Sequence, residues 1–312
     1  MQDFLSINNT LKRTFEKVYT CNTITVIEPL VKKHDIGAGR ARKCRFCNGA
    51  RPDVKFSHQS HALPMMMGNR SIVDSLECDN CNKIFGMKLE DSFAKYLLPN
   101  RPFCRIKGRT GFITYKDEKQ RISAENIERV QVTLADDISV KKSIIDNVPV
   151  LEFNLVRQPY SPVAIYKTLI KIAISFMSNR DHQKFPGLKK WLLEDEHVGR
   201  NGIASEVLEW ELSGPANPDK FSVMLAKARV KYRKTHCRYL LVLRFSNFQY
   251  QIPIMDQRMG VKLKSLQFIF APILIGDEYI SEHGNSFSPQ FKKWNSSEVI
   301  RGEEVEIKVA YK

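Results

Sequence analysis

Residues 44–82 read CRFCNGARPDVKFSHQSHALPMMMGNRSIVDSLECDNCN, and this segment decides the fold of the N-terminal third of the chain. It contains two Cys-x2-Cys pairs, Cys44 with Cys47 and Cys78 with Cys81, with 30 residues between the pairs. Two such turns place four thiolates at the corners of a tetrahedron around Zn²⁺ with little backbone strain. We therefore predict a structural zinc site, because four thiolates leave no coordination position open.

The segment between the two pairs adds groups that a purely structural zinc site does not need. Pro64 predicts the end of a strand that carries His61, and a helix is expected to begin at Asn82 and to run through residues 82–96. Packing of this strand against this helix would bring His61 and Asn82 to one cleft. An imidazole beside a hard divalent cation can activate water for attack on a phosphate ester.

Three strings carry a resemblance to a known family: CRFCNG (44–49), KFSHQSHALPMMMGNR (55–70) and ECDNCNKIFGMKLEDSFAKYL (77–97). Together they resemble the zinc-containing His-Asn-His (HNH) endonucleases of the ββα-metal fold, in particular the subgroup with the pattern CxFC, HxIP, GN and ECDxCN. The resemblance covers about residues 38–98, a fifth of the chain. It implies a phosphodiesterase that cuts DNA with a catalytic Mg²⁺ or Mn²⁺ in addition to the structural Zn²⁺.

The resemblance also implies roles for individual residues. His61 would be the general base, and Asn82 would bind the catalytic metal or orient its ligands. Glu90 and His58 are further candidate ligands of that metal. The four cysteines would hold the structural zinc.

The chain departs from the family pattern at two places. Ser60 stands immediately before His61, where many members have Asp, Glu or His as a metal ligand. The middle Asn of the motif has no clear match, and Asp74 and Glu77 lie nearest to its position. The sequence therefore leaves the shell of the catalytic metal incompletely assigned.

The charge of the chain indicates a polyanionic partner. Of the 312 residues 43% are apolar and 27% are charged, which is typical of a folded globular protein and excludes a disordered chain. The formal net charge is +15 and the pI is about 9.5, values typical of nucleic-acid-binding proteins. Residues 1–116 contribute +10 of that charge, so most of the positive charge lies in the part of the sequence that contains the candidate nuclease residues.

Candidate phosphate contacts flank the cysteine pairs on both sides. The sequence FCRIKGRTGFITYK (103–116) predicts a basic hairpin that bends between Gly108 and Gly111. Lys and Arg side chains here would give salt-sensitive affinity that depends little on base sequence. The residues that we expect to contact DNA are Arg40, Arg42, Lys43, Arg45, Arg101, Arg105, Lys107 and Arg109.

Cysteine usage and hydropathy predict a soluble cytoplasmic protein with no membrane partner. Cys21, Cys104 and Cys237 stand alone in the sequence, which is the pattern of a reducing compartment. No run approaches 18 uninterrupted apolar residues, and the N-terminus lacks the features of a signal peptide.

We predict an α+β protein: an N-terminal ββα-metal (HNH) module with a four-cysteine zinc site, followed by a mixed α+β domain. The predicted division is a prelude at 1–37, the nuclease module with its hairpin at 38–120, and a regulatory or targeting domain at 121–312. Helices are expected at 5–19, 162–177 and 188–194, and strands at 23–31, 127–135, 150–156, 239–245, 248–254, 266–274 and 304–311.

The leading functional hypothesis is a metal-dependent DNA endonuclease whose second half gates or targets it, in defence against phage or other foreign DNA. The rival hypothesis is a non-catalytic zinc-ribbon protein that binds nucleic acid. A third is that the nuclease is the effector arm of a complex with an Argonaute-like or signal-sensing partner, with the second half supplying the protein or homo-oligomer contacts. Residues 127–312 carry no motif that decides among these.

Overall fold

The computed structural model of the protein describes residues 4–27, 33–108, 110–135, 140–145, 147–199, 206–216, 220–255, 266–276, 278–280 and 287–311. The helices are α1 (Phe4–Val18), α2 (Asp79–Ile84), α3 (Asp91–Leu97), α4 (Pro162–Phe176), α5 (Asn179–His182) and α6 (Pro186–Leu193), with a π-helical turn at Phe85–Glu90. The strands are β1 (Tyr19–Ile27), β2 (His34–Asp35), β3 (Ile72–Val73), β4 (Thr114–Lys116), β5 (Gln120–Ala124), β6 (Val130–Leu134), β7 (Val140–Ile145), β8 (Val148–Val156), β9 (Glu206–Leu212), β10 (Lys220–Ala228), β11 (Tyr239–Phe245), β12 (Phe248–Ile254), β13 (Phe287–Lys293) and β14 (Glu304–Ala310).

A six-stranded antiparallel sheet in the order β1-β10-β11-β12-β9-β13 forms the centre of the protein. Every residue of β11 and β12 is buried, so both faces of the sheet are covered. This explains why YLLVLRF is apolar at nearly every position and does not alternate. The helix α4, also buried along almost its whole length, packs on one face, and α1 packs on the other.

The segment 266–274 was predicted to be a strand, and this prediction is wrong. The segment lies beside the α1 face of the sheet, and side-chain amides take the place of a strand partner. Gln251 accepts a hydrogen bond from Ala271 N–H (2.8 Å) and donates one to Ile269 O (2.7 Å), and Gln249 pairs in the same way with Pro272 and Leu274. Ala271, Pro272 and Ile273 are buried and Phe268 is exposed, and no β-ladder forms.

A second, smaller core lies between two three-stranded sheets, β4-β5-β6 and β14-β8-β7. Tyr115 and Phe153 are buried between them, and the Tyr115 hydroxyl accepts a hydrogen bond from Val156 N–H at 2.8 Å. These sheets contain the predicted strands at 127–135, 150–156 and 304–311. They form a β-sandwich, which we call the sandwich (residues 114–156 and 304–310).

The cysteine-containing segment and the second half of the chain share one core. Cys44 and Phe85 belong to the same buried cluster as Leu169 of α4 and Tyr250 of β12. At the other end of the sequence, β1 from the predicted prelude is an edge strand of the central sheet, paired with β10. The predicted domain boundaries after residues 37 and 120 stay a prediction, although residues from all three predicted parts pack against one another.

The α+β fold class is confirmed, with the second half rich in sheet. Helix predictions at 5–19, 162–177 and 188–194 agree with α1, α4 and α6 to within two residues at each end. Residues 28–31, predicted as the end of the first strand, lie outside the described residues. In the described parts of the chain, no helix is both long and apolar enough to span a bilayer.

Candidate metal and nuclease site

The four cysteine thiols converge on one point. All four Sγ atoms lie within 4.8 Å of one another, and Cys44–Cys81 and Cys47–Cys78 are each separated by 3.7 Å. A tetrahedron with Zn–S bonds of 2.3 Å has edges of about 3.8 Å, so these separations fit Zn²⁺. Three of the cysteines are buried and Cys47 is exposed. The cluster is compatible with a structural zinc whose four positions are all taken by thiolates.

His61 lies on a short β-bridge in the segment between the two cysteine pairs. It pairs antiparallel with Val73, and the pairing is extended by hydrogen bonds from Ala62 N–H to Ile72 O (3.2 Å) and from Asp74 N–H to Ser60 O (3.0 Å). The imidazole is half-buried. Two β segments followed by a helix are therefore present, as the ββα pattern requires.

Asn69 holds the loop between these two β segments, and sequence reasoning missed it. Its side chain is fully buried; Nδ2 donates to Leu63 O (2.7 Å) and Ile72 O (3.0 Å), and Oδ1 accepts from Ile72 N–H (2.9 Å). Because these bonds use both amide protons, the 3.5 Å contact from Nδ2 to His61 Nδ1 is secondary. The sequence signal was Asn directly after Gly68, which adopts φ 99° at the end of a short turn.

Asn82 and Glu90 lie on one continuous helical stretch, α2, the π-turn and α3. In a regular α-helix, residues eight apart differ by about 80° around the axis. The π-turn, with i→i+5 hydrogen bonds, uses about one more residue per revolution, which brings Glu90 onto nearly the same face as Asn82. Both side chains are half-buried, and about 10–12 Å of helix axis separates them.

A buried lysine from the second half of the chain touches the same site. Lys171 on α4 is 1% exposed, and its Nζ lies 2.6 Å from His61 O, 3.2 Å from Glu77 Oε2 and 3.6 Å from Glu90 Oε1. The ammonium group therefore donates a hydrogen bond to the His61 carbonyl and forms ion pairs with two carboxylates. Burial raises the pKa of the Glu77 carboxyl to about 8 although the charge of Lys171 opposes that rise. In the sequence Lys171 is one of the few polar residues of a mostly apolar helix, and its position alone gives no sign of this contact.

These features agree with a comparison to known families. A family model described as HNH endonuclease matches residues 44–98. Residues 44–98 are an HNH endonuclease domain. The predicted family is thereby confirmed, and the domain supports nuclease activity in general. No curated protein and no solved structure matches the chain.

Two arginines predicted to contact DNA are buried in the structure, so these two predictions are wrong. Arg45 is 2% exposed; its Nε lies 2.7 Å from Asp74 Oδ2, and its Nη1 donates to Ile174 O (3.1 Å) at the end of α4. It therefore joins the first zinc knuckle of the HNH domain to α4. Arg101 is 6% exposed, and burial lowers its pKa to about 10.

The other predicted DNA contacts lie at the surface where the structure describes them. Arg40, Arg42 and Lys43 are exposed in the loop before Cys44, and Lys107 is exposed with its ammonium 5.1 Å from the Phe112 ring. Arg105 is half-buried, and Arg109 lies outside the described residues. The hairpin itself forms, with Lys107 bridged to Phe112. Contact of these residues with DNA stays a prediction.

His58 is exposed in a loop and not in a strand, three residues before His61. Its backbone N–H donates to Asp79 Oδ1 at 2.9 Å, which ties this loop to the start of α2. Among the residues that the structure describes, only the four cysteines form a group of three or more His, Cys, Asp or Glu placed to share one ion. A catalytic metal would therefore rely on Asn82, water and phosphate oxygens together with individual carboxylates.

Proposed function

We propose that the HNH domain is a metal-dependent endonuclease that hydrolyses phosphodiester bonds in DNA. The observation that carries this proposal is the placement of His61, on a β-bridge fixed by Asn69, beside a zinc-compatible frame within a segment that matches HNH endonucleases. The +15 net charge favours a nucleic-acid substrate.

In the proposed mechanism His61 is the general base. Its imidazole would take a proton from water as the oxygen attacks phosphorus, and the bond from phosphorus to the leaving sugar oxygen would break. The Lys171 contact to His61 O and the Asn69 amide fix the backbone on either side of the imidazole, so the base is held in one orientation. Preorganisation of this kind keeps the reacting groups at attack distance.

Asn82 and Glu90 are the residues that would hold a catalytic Mg²⁺ or Mn²⁺. Their amide and carboxylate oxygens are the hard donors that these ions prefer. The π-turn turns both side chains to one face of the helix, but about 10–12 Å of helix axis separates them, so one of the two would contact the ion directly and the other would act through bound water or a phosphate oxygen. When bound, the ion supplies charge stabilisation at the phosphate. Glu90 also contacts Lys171, so its carboxylate is oriented by the second half of the chain. His58 stays a further candidate ligand in this proposal.

The test is plasmid cleavage with Mg²⁺ or Mn²⁺, comparing wild type with His61→Ala. His34→Ala is the matched control, because His34 is an exposed histidine of the adjoining β2 strand. We expect loss of cleavage only in His61→Ala, with DNA binding retained. Equal cleavage by both variants would exclude His61 as the base. Single-stranded DNA and RNA substrates in the same assay establish the substrate class.

The second candidate function is a non-catalytic zinc protein that binds nucleic acid. It is favoured by Ser60, which is buried and donates its hydroxyl to Glu77 O, so the position before His61 offers no carboxylate. Binding without cutting, in wild type and in His61→Ala alike, would establish this function instead.

We further propose that residues 121–312 control the nuclease in a cytoplasmic defence system against foreign DNA, by self-association or through an Argonaute-like or signal-sensing partner. The contacts of Lys171 and Arg45 give the second half a direct connection to the HNH domain. A fragment of residues 1–120 lacks Lys171 and would leave Glu77 without its cation. Control is therefore tested on the full chain, by co-purification from the native host and by cleavage with and without the recovered partner. Cleavage that no recovered partner alters would count against this proposal.

A further inference from the structure

Three stretches far apart in sequence are rich in cations and poor in acids. Residues 36–52 and 227–238 contain no Asp or Glu, and residues 179–190 contain only Asp181. Thirteen lysines and arginines of these stretches are exposed or half-exposed. We call eleven of them the basic track: Arg40, Arg42, Lys43, Arg180, Lys184, Lys190, Lys227, Arg229, Lys231, Arg233 and Lys234.

Side-chain contacts join the three stretches into one surface. The Arg40 guanidinium donates to Asn179 Oδ1 at 3.0 Å, which places the loop before the zinc knuckle against α5. On the same helix, Asp181 accepts from Lys227 Nζ at 3.1 Å and from the Tyr239 hydroxyl at 2.7 Å, which places α5 against the end of β10. The track therefore runs from the HNH domain across α5 to the turn at 229–234.

The buried groups under the track experience its positive field. His182 is 5% exposed, and its pKa is lowered to about 4 by burial and then by the charges of Lys189, Arg45 and Arg40. By contrast, the Asp181 carboxyl has its pKa lowered by hydrogen bonds from Lys184, Tyr239 and Lys227, so it stays ionised. One carboxylate offsets only a small part of the charge of eleven cations.

The position of the track relative to His61 follows from α4. Lys171 contacts the His61 carbonyl, and Met177, whose carbonyl accepts from Arg45 Nη1 at 3.3 Å, lies six residues further along the chain. At 1.5 Å per residue this is about 9 Å of helix axis. The helix α5 begins at Asn179, two residues later. The track thus starts near the proposed cut site and leads away from it.

We propose that the basic track binds the phosphate backbone of DNA on one side of the cut site, so that the second half of the chain is part of the substrate-binding surface. The proposal extends the proposed nuclease function and rests on it for the identity of the polyanion. Cations presented along a surface that spans several structural elements match the repeated charge of a duplex backbone. An anionic membrane fits less well as the partner, because Val230 is the only strongly exposed large apolar residue among the described residues of the three stretches that contain the track.

The test measures DNA binding in the His61→Ala background, so that cleavage does not interfere. The track variant carries Arg180→Gln, Lys231→Gln and Lys234→Gln. The control carries Lys119→Gln, Lys142→Gln and Lys308→Gln, which removes three exposed lysines from the sandwich and lowers the net charge equally. Fluorescence anisotropy gives Kd for 12-bp and 40-bp duplexes at several salt concentrations, and circular dichroism checks that both variants are folded.

We expect the track variant to bind the 40-bp duplex at least tenfold more weakly and to lose about 2–3 from the slope of log K against log salt, while the control changes neither. Equal losses in both variants would show a bulk charge effect and overturn the proposal. No loss of DNA binding in the track variant would confine binding to the HNH domain and would also overturn the proposal. The proposal would likewise be overturned if the protein bound vesicles with 30% phosphatidylserine and the track variant abolished that binding. If the His61→Ala protein binds DNA through the track but the wild type never cleaves DNA, the nuclease function is rejected and the track remains supported.

Discussion

Replacement of Lys171 by Met is the sharpest test of how the HNH domain is attached to the rest of the protein. The substitution keeps the apolar stem on α4 and removes the ammonium group, which has three partners: the carboxylates of Glu77 and Glu90 as ion pairs and the His61 carbonyl as a hydrogen-bond acceptor. The Glu77 side chain is 0% exposed, so no water can replace the lost cation. Glu90 is 23% exposed and can be partly rehydrated.

Removing one partner of a buried ion pair costs about 3–5 kcal/mol in the free energy of unfolding. We expect about 3 kcal/mol here, the lower end, because loss of the Lys171 charge, which opposes the rise of the Glu77 pKa on burial, lets that carboxyl take up a proton. Replacing both members with apolar side chains, Lys171→Met with Glu77→Met, should recover most of that loss, since no buried charge is then left unpaired.

The assay is urea unfolding of the zinc-loaded full-length chain, followed by circular dichroism and linear extrapolation. Lys167→Met is the matched control: Lys167 is also buried and lies one turn earlier on α4, but it donates only to Glu196 O at 3.3 Å and packs 5.0 Å from the Trp191 ring. We expect a loss below about 1 kcal/mol for this control. If Lys171→Met unfolds like wild type, or if both variants lose equal stability, the ion-pair reasoning is refuted.

Three further predictions follow from the same structure. Cys81→Ser should purify without the single Zn²⁺ expected in wild type and should melt at lower temperature, because three thiolates cannot close the tetrahedron; metal analysis and thermal unfolding check this. Asn69→Ala should cost about 2–4 kcal/mol and abolish plasmid cleavage, because it removes the partner of Ile72 N–H, the amide bond to the Leu63 carbonyl and one of the two bonds to the Ile72 carbonyl, and so releases the His61 loop; Ser71→Ala, in the same loop, is its control. His182→Gln should reduce acid sensitivity: the folded state keeps this histidine neutral down to about pH 4 while the unfolded state protonates near 6.5, so wild-type stability falls as pH decreases through that window, by at most about 3 kcal/mol. Equal unfolding curves of wild type and His182→Gln between pH 4 and 7 would contradict this assignment.

The zinc site and the helices could be read from sequence because their signals are local. A Cys-x2-Cys turn fixes two ligands within four residues, and Pro162 marks the start of a helix whose period is visible in the next fifteen residues. Strand prediction failed at 266–274, where the apolar composition indicated packing against the sheet but not the partner of the backbone groups. Buried Gln249 and Gln251 supply that partner, and nothing in the local pattern indicates which backbone groups a glutamine will meet.

The sequence by itself indicated the HNH domain at residues 44–98, the four thiols, the strand-loop-helix order around His61 and the positive charge of the chain. Only the tertiary structure decided which cations face solvent and which are buried. Arg45 and Lys171 look like ordinary basic residues, yet each reaches a group more than 100 positions away: Arg45 contacts Ile174, and Lys171 contacts His61. The burial and ion pairing of a charged side chain depend on such long-range contacts, because the side chain loses its hydration only when distant segments pack around it.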